Sequence, residues 1–323
     1  MKLLKNKLFL RAIGILIFIY ILSKVQLKEV TTILGEINLL YFLIGLLFFI
    51  PAILIKVYRW KKILKLQKIR IKTRKLLQPY IGTFGLGIIT PFKVGELARI
   101  AFLRNKKIPL GISAFSVVMD RLLDIILFTS VGTISMLYLF SYFKQYLLSL
   151  LLILLVLTIL AVLIVTKSKG ASNLLLGLFL PKRIIKKTQL TLKELWLEFK
   201  KMDFLFFIEV LIITALTWIF ANFEIYLFAF ALGINITFWQ VIILVSISSI
   251  ANLLPITISG IGTRDATFVL LFAIFGLTSE QAIALSLLIL IAWIIKAFFC
   301  MLFWWKNPIT IDKSTHLKTD PHF

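Results

Sequence analysis

Thr90-Pro91-Phe92-Lys93-Val94-Gly95-Glu96-Leu97-Ala98-Arg99 and Leu254-Pro255-Ile256-Thr257-Ile258-Ser259-Gly260-Ile261-Gly262-Thr263-Arg264-Asp265 are two apolar stretches broken in the middle by proline and glycine, with charges at the break. Interrupted helix and ionised side chains persist at membrane depth only where the backbone is buried in protein or lines a wet cavity, because hydrocarbon cannot satisfy stranded amides. Two such segments, one in each half of a chain, mark a transporter built from repeats, with its substrate site between them.

The rest of the sequence fits that setting. Of 323 residues, 60% are hydrophobic, and the mean hydropathy is +1.02, which excludes a soluble domain and predicts a polytopic membrane protein. Apolar runs fall at 8–23, 39–55, 112–142, 147–166, 204–232 and 281–305. Each is near or above the roughly 20 residues that cross about 30 Å of hydrocarbon, so six full spans are expected. The first lacks a small-residue cleavage site and is followed by Lys24 and Lys28, which predicts a retained span rather than a signal peptide.

A net charge of +23 suggests nucleic acid in a soluble protein; here the placement of the charges argues against it. Ten Lys or Arg and no acid lie from Lys56 to Lys75, a second basic block runs from Lys167 to Lys201, and smaller clusters sit at Lys2–Arg11 and at Arg104, Lys106 and Lys107. The positive-inside bias puts all of these in the cytoplasm, facing anionic lipid headgroups. Residues 183–201 mix Ile184, Ile185, Leu192, Leu195, Trp196 and Phe199 with Lys and Glu, as in a helix lying in the interface.

Topology follows by elimination. If 79–103 crossed once, the basic blocks at 56–75 and 104–107 would lie on opposite sides, so this segment must enter and return. With both termini cytoplasmic, residues 239–277 must then form a hairpin from the outer face. The expected fold is an all-α integral membrane protein of six transmembrane helices plus two broken re-entrant hairpins in an inverted repeat. The first repeat is 39–142, a cytoplasmic interfacial linker covers 167–203, the second repeat is 204–305, and 306–323 is a cytoplasmic polar tail.

The breaks carry the candidate chemistry. A helix restarting after Pro91 or Pro255, or after Gly95, Gly260 or Gly262, presents amides and the positive end of its dipole to an anion. Arg99 and Arg264 lie within a turn of those restarts and can fork onto phosphate oxygens in a geometry lysine cannot match. Glu96, three residues before Arg99, and Asp265, next to Arg264, are their counter-ions when no ligand is bound. The alternative is that these pairs only pin the hairpins, since a bare charge in hydrocarbon costs roughly 3 kcal/mol or more and must be paired anyway. Asp120, Arg121 and Asp124 either hold the third span to a hairpin or touch substrate. Asn222, Glu224 and Lys296 are further polar groups in the spans, either packed partners or carriers of coupling protons.

Enzyme readings lack parts. Both histidines, His316 and His322, lie in the polar tail, and Cys300 is the single cysteine, so neither a metal site nor a Cys–His or Ser–His nucleophile is expected. Arg264 beside Asp265 also argues against a proton-sharing aspartyl dyad. No Gly-Lys-Ser/Thr phosphate loop is present. We expect no cofactor, and a drive from a gradient or from consumption of the product.

Four motifs in order carry a family resemblance: Arg59-Trp60-Lys61-Lys62-Ile63-Leu64, Pro91…Gly95-Glu96…Arg99, Asp120-Arg121-Leu122-Leu123-Asp124, and Pro255…Gly260-Ile261-Gly262-Thr263-Arg264-Asp265. From about Tyr41 to Trp305 the chain resembles the flippase-like transmembrane domain of lysylphosphatidylglycerol synthases, a group with stand-alone bacterial and archaeal members. Asp120 and Asp265 stand where such proteins usually have glutamate, and Ser259 where glycine is common. No soluble aminoacyl-transferring domain is expected beside this one, and so no synthesis of an aminoacyl lipid. The resemblance and the breaks together predict a translocator of an anionic, phosphate-bearing lipid, such as an aminoacyl-phospholipid or a polyprenyl-phosphate carrier, in the plasma membrane of a bacterium or archaeon. Two alternatives stand: an ion-coupled transporter of a small soluble anion, and a non-transporting partner of envelope-biosynthesis enzymes.

Overall fold

The computed structural model describes residues 14, 16–139, 197–253 and 260–305. The expected span at 147–166, all but the last residues of the linker 167–203, Pro255, Ser259 and the tail 306–323 lie outside them. Every regular element among the described residues is helical. A helical run at 16–22 precedes α1 (Leu27–Gly35), α2 (Leu39–Leu47), α3 (Phe49–Leu66) and α4 (Thr73–Ile89). A 3-10 helix (Pro91–Ala98) then leads directly into α5 (Arg99–Asn105) and α6 (Leu110–Tyr138). In the second half come α7 (Phe204–Ala231), α8 (Phe238–Ala251), α9 (Thr263–Ile274) and α10 (Ser279–Trp305).

Three stretches are long and apolar enough to cross a membrane: Leu39–Leu66, Phe204–Ala231 and Ser279–Trp305. At 1.5 Å per residue each is about 40 Å long. The first is α2 and α3 joined at Phe48, with Pro51 in the first turn of α3, where a missing N–H costs least. The apolar run at 39–55 therefore understates this helix, which continues through Lys56, Arg59 and Lys65 to Leu66. Lysine and arginine are good helix formers, so a change in polarity does not end a helix. α6 has 29 residues but carries Asp120, Arg121 and Asp124 in its interior.

Two units share one order: a long helix, two short ones, a long one. The long helix and the second short helix of each unit close alike. Lys68 (φ +62°) ends α3 and Lys107 (φ +60°) ends α5; Gly233 (φ +67°) ends α7 and Gly276 (φ +74°) ends α9. After each, the next amide folds back five residues, Ile69 to the Leu64 carbonyl (3.0 Å), Ile108 to Leu103 (3.2 Å), Ile234 to Ala229 (3.0 Å) and Leu277 to Phe272 (2.8 Å). Four helix ends are thus satisfied by the same motif.

Packing exchanges the two units. α4 lies against α10, α8 lies against α6, and α2 and α3 lie against α7. Glycine makes the first two approaches close: a Cβ on Gly85 would sit 2.7 Å from Cys300 Cβ, and one on Gly82 would sit 2.8 Å from the Trp304 ring. On α6, a Cβ on Gly132 would run into Ile250 of α8. One apolar core joins α7 to α10, with Val30 and Phe42 from the first half; Ile53, Val57, Trp60, Leu76 and Tyr80 form a separate core of α3 and α4. The outer faces stay apolar, with Leu205, Ile212 and Ile219 of α7 and Ile294, Phe298 and Phe299 of α10 exposed. Such surfaces suit hydrocarbon and would be aggregation-prone in water.

The first broken segment, read from sequence as 79–103, is built of α4, the 3-10 helix and α5, from Thr73 to Asn105. Its two ends meet: Arg70, Lys72 and Lys75 line one cavity with Asn105, Lys106 and Lys107. The second, read as 239–277, is built of α8 and α9, with 254–259 between them outside the described residues.

Candidate functional site

Asp120, the eleventh of the 29 residues of α6 and fully buried, is the hub of the first unit. Its Oδ1 accepts from Arg59 Nε at 2.8 Å, and its Oδ2 accepts from Arg99 Nη1 at 2.8 Å and from the Tyr80 hydroxyl at 2.9 Å. Arg59 Nη1 donates to Asp124 Oδ1 at 2.8 Å and to Thr214 Oγ1 of α7 at 2.9 Å, while Nη2 donates to the Asp120 carbonyl at 2.9 Å. Two fully buried guanidiniums are thereby satisfied from α4, α6, α7 and the 3-10 helix together, the condition under which a buried charge is tolerated.

The sequence pairs are present, joined to others. Arg99 Nη2 donates to Glu96 Oε2 at 3.1 Å, and its Nε reaches the Glu96 carbonyl at 3.3 Å. Its guanidinium carbon lies 4.2 Å from the Tyr80 ring centroid and 5.2 Å from that of Trp60. The fork expected for a phosphate is here engaged with the protein. Arg121 ion-pairs Glu96 and lies 3.8 Å from Asp124. Its side chain is 12% exposed, and its Nε has no hydrogen-bond partner, nor has Glu96 Oε1. Lys56 donates to Asp124 at 3.2 Å and is partly exposed.

The break itself folds tightly. The Thr90 hydroxyl accepts from the Gly95 amide at 2.8 Å, and Lys93 adopts φ +54°. Gly95 is obligatory, since a Cβ there would fall on the Leu86 carbonyl. Lys93 is exposed and within electrostatic reach of Lys56, Arg121, Glu96 and Asp124. Five cations (Lys56, Arg59, Lys93, Arg99, Arg121) thus stand against three carboxylates (Glu96, Asp120, Asp124), an excess of two positive charges.

The second unit is sparer. Arg264, the second residue of α9, donates from Nε to Ser286 Oγ at 2.8 Å and from Nη2 to the Ser286 carbonyl at 3.0 Å. Asp265 accepts from Ser286 Oγ and from the Gly262 amide at 2.7 Å, so this helix start is capped by its own carboxylate. The Arg264–Asp265 ion pair is loose, at 3.8 Å, and Trp293 lies 5.2 Å from the guanidinium. Arg264 Nη1 is buried without a hydrogen-bond partner. Gly260 (φ +77°) and Gly262 (φ +91°) take backbone angles closed to most residues. Lys296 of α10 donates to Glu224 of α7, a buried pair, and Asn222 donates to the Trp218 carbonyl at 2.7 Å.

The structure therefore gathers Glu96, Arg99, Asp120, Arg121 and Asp124 in one network and sets Arg264 and Asp265 in another; no hydrogen bond or ion pair among these residues joins the two. Pro91 opens the 3-10 helix, and Pro255 lies outside the described residues. Arg59 opens the first of the four motifs, but neither it nor Lys56 is given a site role from sequence, where both sit in the basic block after the second span. The available signal was their helical register with buried Val57, Trp60 and Ile63. Nothing local marked Ser286 or Thr214. Among the described residues no group of histidine, cysteine and carboxylates is arranged to hold a metal.

Comparison with curated proteins and with solved structures returns no match. A family model does match, over residues 8–300, described as the lysylphosphatidylglycerol synthase TM region. That span takes in both units and both charge networks. The chain is a membrane protein belonging to the lysylphosphatidylglycerol synthase TM region family.

Proposed function

We propose that this chain translocates an anionic, phosphate-bearing lipid between leaflets, using the first broken segment as its headgroup site. The observation that carries this is the two-charge excess around Arg121, whose Nε lacks a partner, and exposed Lys93 at the break. Asp120 and Asp124 spend their acceptors on Arg59, Arg99 and Lys56, and Glu96 pairs with Arg99 and Arg121, so the Arg121 Nε and Lys93 remain to meet a phosphate. Charged groups lining such a site bind anions strongly because the surrounding low dielectric strengthens each contact.

The finer architecture supports this reading. Limbs of 17, 14 and 12 residues (α4, α8, α9) reach about 25, 21 and 18 Å, short of the roughly 30 Å of hydrocarbon, as re-entrant hairpins require. The turns flanking the first hairpin are basic and those flanking the second, 232–237 and 275–278, are uncharged, which favours insertion of the two hairpins from opposite faces. With the exchanged packing of α4 on α10 and α8 on α6, this is an inverted repeat, and six full spans complete it. We read the chain as a carrier without catalysis, since every carboxylate of the cluster is held by an arginine.

The test is lipid exposure in reconstituted vesicles, with fluorescent phosphatidylglycerol as anionic probe and fluorescent phosphatidylcholine as control. Wild type is expected to move the anionic probe faster than empty vesicles do, and Lys93→Gln with Arg121→Gln to lower that rate about tenfold while folded yield holds. Equal movement of both probes, or an unchanged rate in the double variant, defeats the proposal.

A further inference from the structure

Sequence-distant basic blocks meet in one concavity. Arg70, Lys72 and Lys75, at the start of the first hairpin, and Lys106 and Lys107, at its end, line a cavity of about 680 Å³ with Ile71 and Asn105. That volume holds roughly twenty waters and falls within the roughly 300–1,000 Å³ of small-molecule sites. Five cations and no carboxylate form its wall, all five exposed.

The second unit supplies the control. Its corresponding turns, Leu232-Gly233-Ile234-Asn235-Ile236-Thr237 and Phe275-Gly276-Leu277-Thr278, carry no charge and close by the same hydrogen bonds. The fold thus does not need cations at these turns. Membrane orientation accounts for their sign and side. Together with the hairpin it brings the two blocks to one face; it does not dictate which cations line the concavity, and Lys65, Lys68 and Arg74 of the same block lie outside its wall.

We propose that this cavity binds a polyanionic group bearing two phosphates, presented at the membrane surface. One lipid phosphodiester brings a single negative charge and acceptor oxygens at one point; a pair of them doubles the charge and offers acceptor oxygens to both walls at once. The start of α4 adds the positive end of its dipole, with Lys72 as its N-cap. The site is separate from the Asp120 network, and its occupancy does not depend on translocation.

The test uses the full chain in phosphatidylcholine nanodiscs, titrated with cardiolipin as the two-phosphate probe and phosphatidylglycerol as the one-phosphate probe. Lys72→Gln, Lys75→Gln and Lys106→Gln together are expected to weaken cardiolipin binding by at least about tenfold, whereas Lys65→Gln, Lys68→Asn and Arg74→Gln, equal in charge change, shift it by less than about twofold. Competition by millimolar pyrophosphate identifies a soluble diphosphate as a further source of the same chemistry; its failure to compete confines the site to lipid. Equal weakening by the two triple variants reduces the cavity to diffuse surface charge and overturns the proposal. So does phosphatidylglycerol binding as tightly as cardiolipin.

Discussion

The two units carry the same four-helix order and the same turn closures, yet one is dense with charge and the other nearly neutral. Around Asp120, five cations and three carboxylates gather from four elements; around Arg264, one guanidinium meets one carboxylate and one serine. Because the backbone plan is shared, the plan does not dictate the charge. The difference teaches that the helix restart after the first break is fixed by a network and the start of α9 by backbone: Gly260, Gly262 and the Asp265 cap do there what ion pairs do around Arg99.

The largest expected effect tests that contrast at the carboxylates. Asp120→Ala strands Arg59 and Arg99 in the interior, at a cost of about 3–5 kcal/mol, whereas Asp265→Asn removes one cap and costs about 1–3 kcal/mol. Thermal unfolding of the two purified variants measures both. Equal losses would erase the distinction between network and backbone.

Exchanging arginine for lysine sharpens it. Arg99→Lys loses two charged hydrogen bonds and the face-on contact with Tyr80, which should cost about 2–3 kcal/mol and lower folded yield. Arg264→Lys, with one donor already unpaired, should fold near wild-type level. A drop in lipid movement by that variant at normal yield would assign Arg264 to the ligand. Full activity would leave it structural.

The smallest effect is at the turns. Lys68→Gly should gain about 1 kcal/mol by relieving a left-handed residue, and Gly233→Lys should lose about as much. If Lys68→Gly instead destabilises, the lysine makes a contact beyond the turn that its counterpart lacks.

Much of this was legible in the sequence because it is local. Proline and glycine with charges marked both breaks, hydrophobic runs marked the long helices, and Glu96 to Arg99 is a three-residue spacing that any helix brings together. The hub was not legible. Asp120 and Asp124 share a helical face, but their partner Arg59 comes from 61 and 65 residues away, inside a run of lysines that reads as solvated charge. Only the packing of α3 on α6 turns it inward. The 3-10 conformation of 91–98 was hidden for a similar reason. Gly95 must press against Leu86, a contact set by how α4 returns, and the order of residues around the break does not show it.

Cys300 gives the packing of α4 on α10 an experimental voice. It is the single cysteine of the chain, it is 2% exposed, and it faces Gly85 across the seam between the two units. The native protein is therefore already a silent background for thiol chemistry. Any state in which the first hairpin withdraws from the last helix uncovers that sulfur, so the rate at which a small membrane-permeant alkylating reagent modifies the wild-type chain, with and without lipid, times the opening of the seam with no residue replaced.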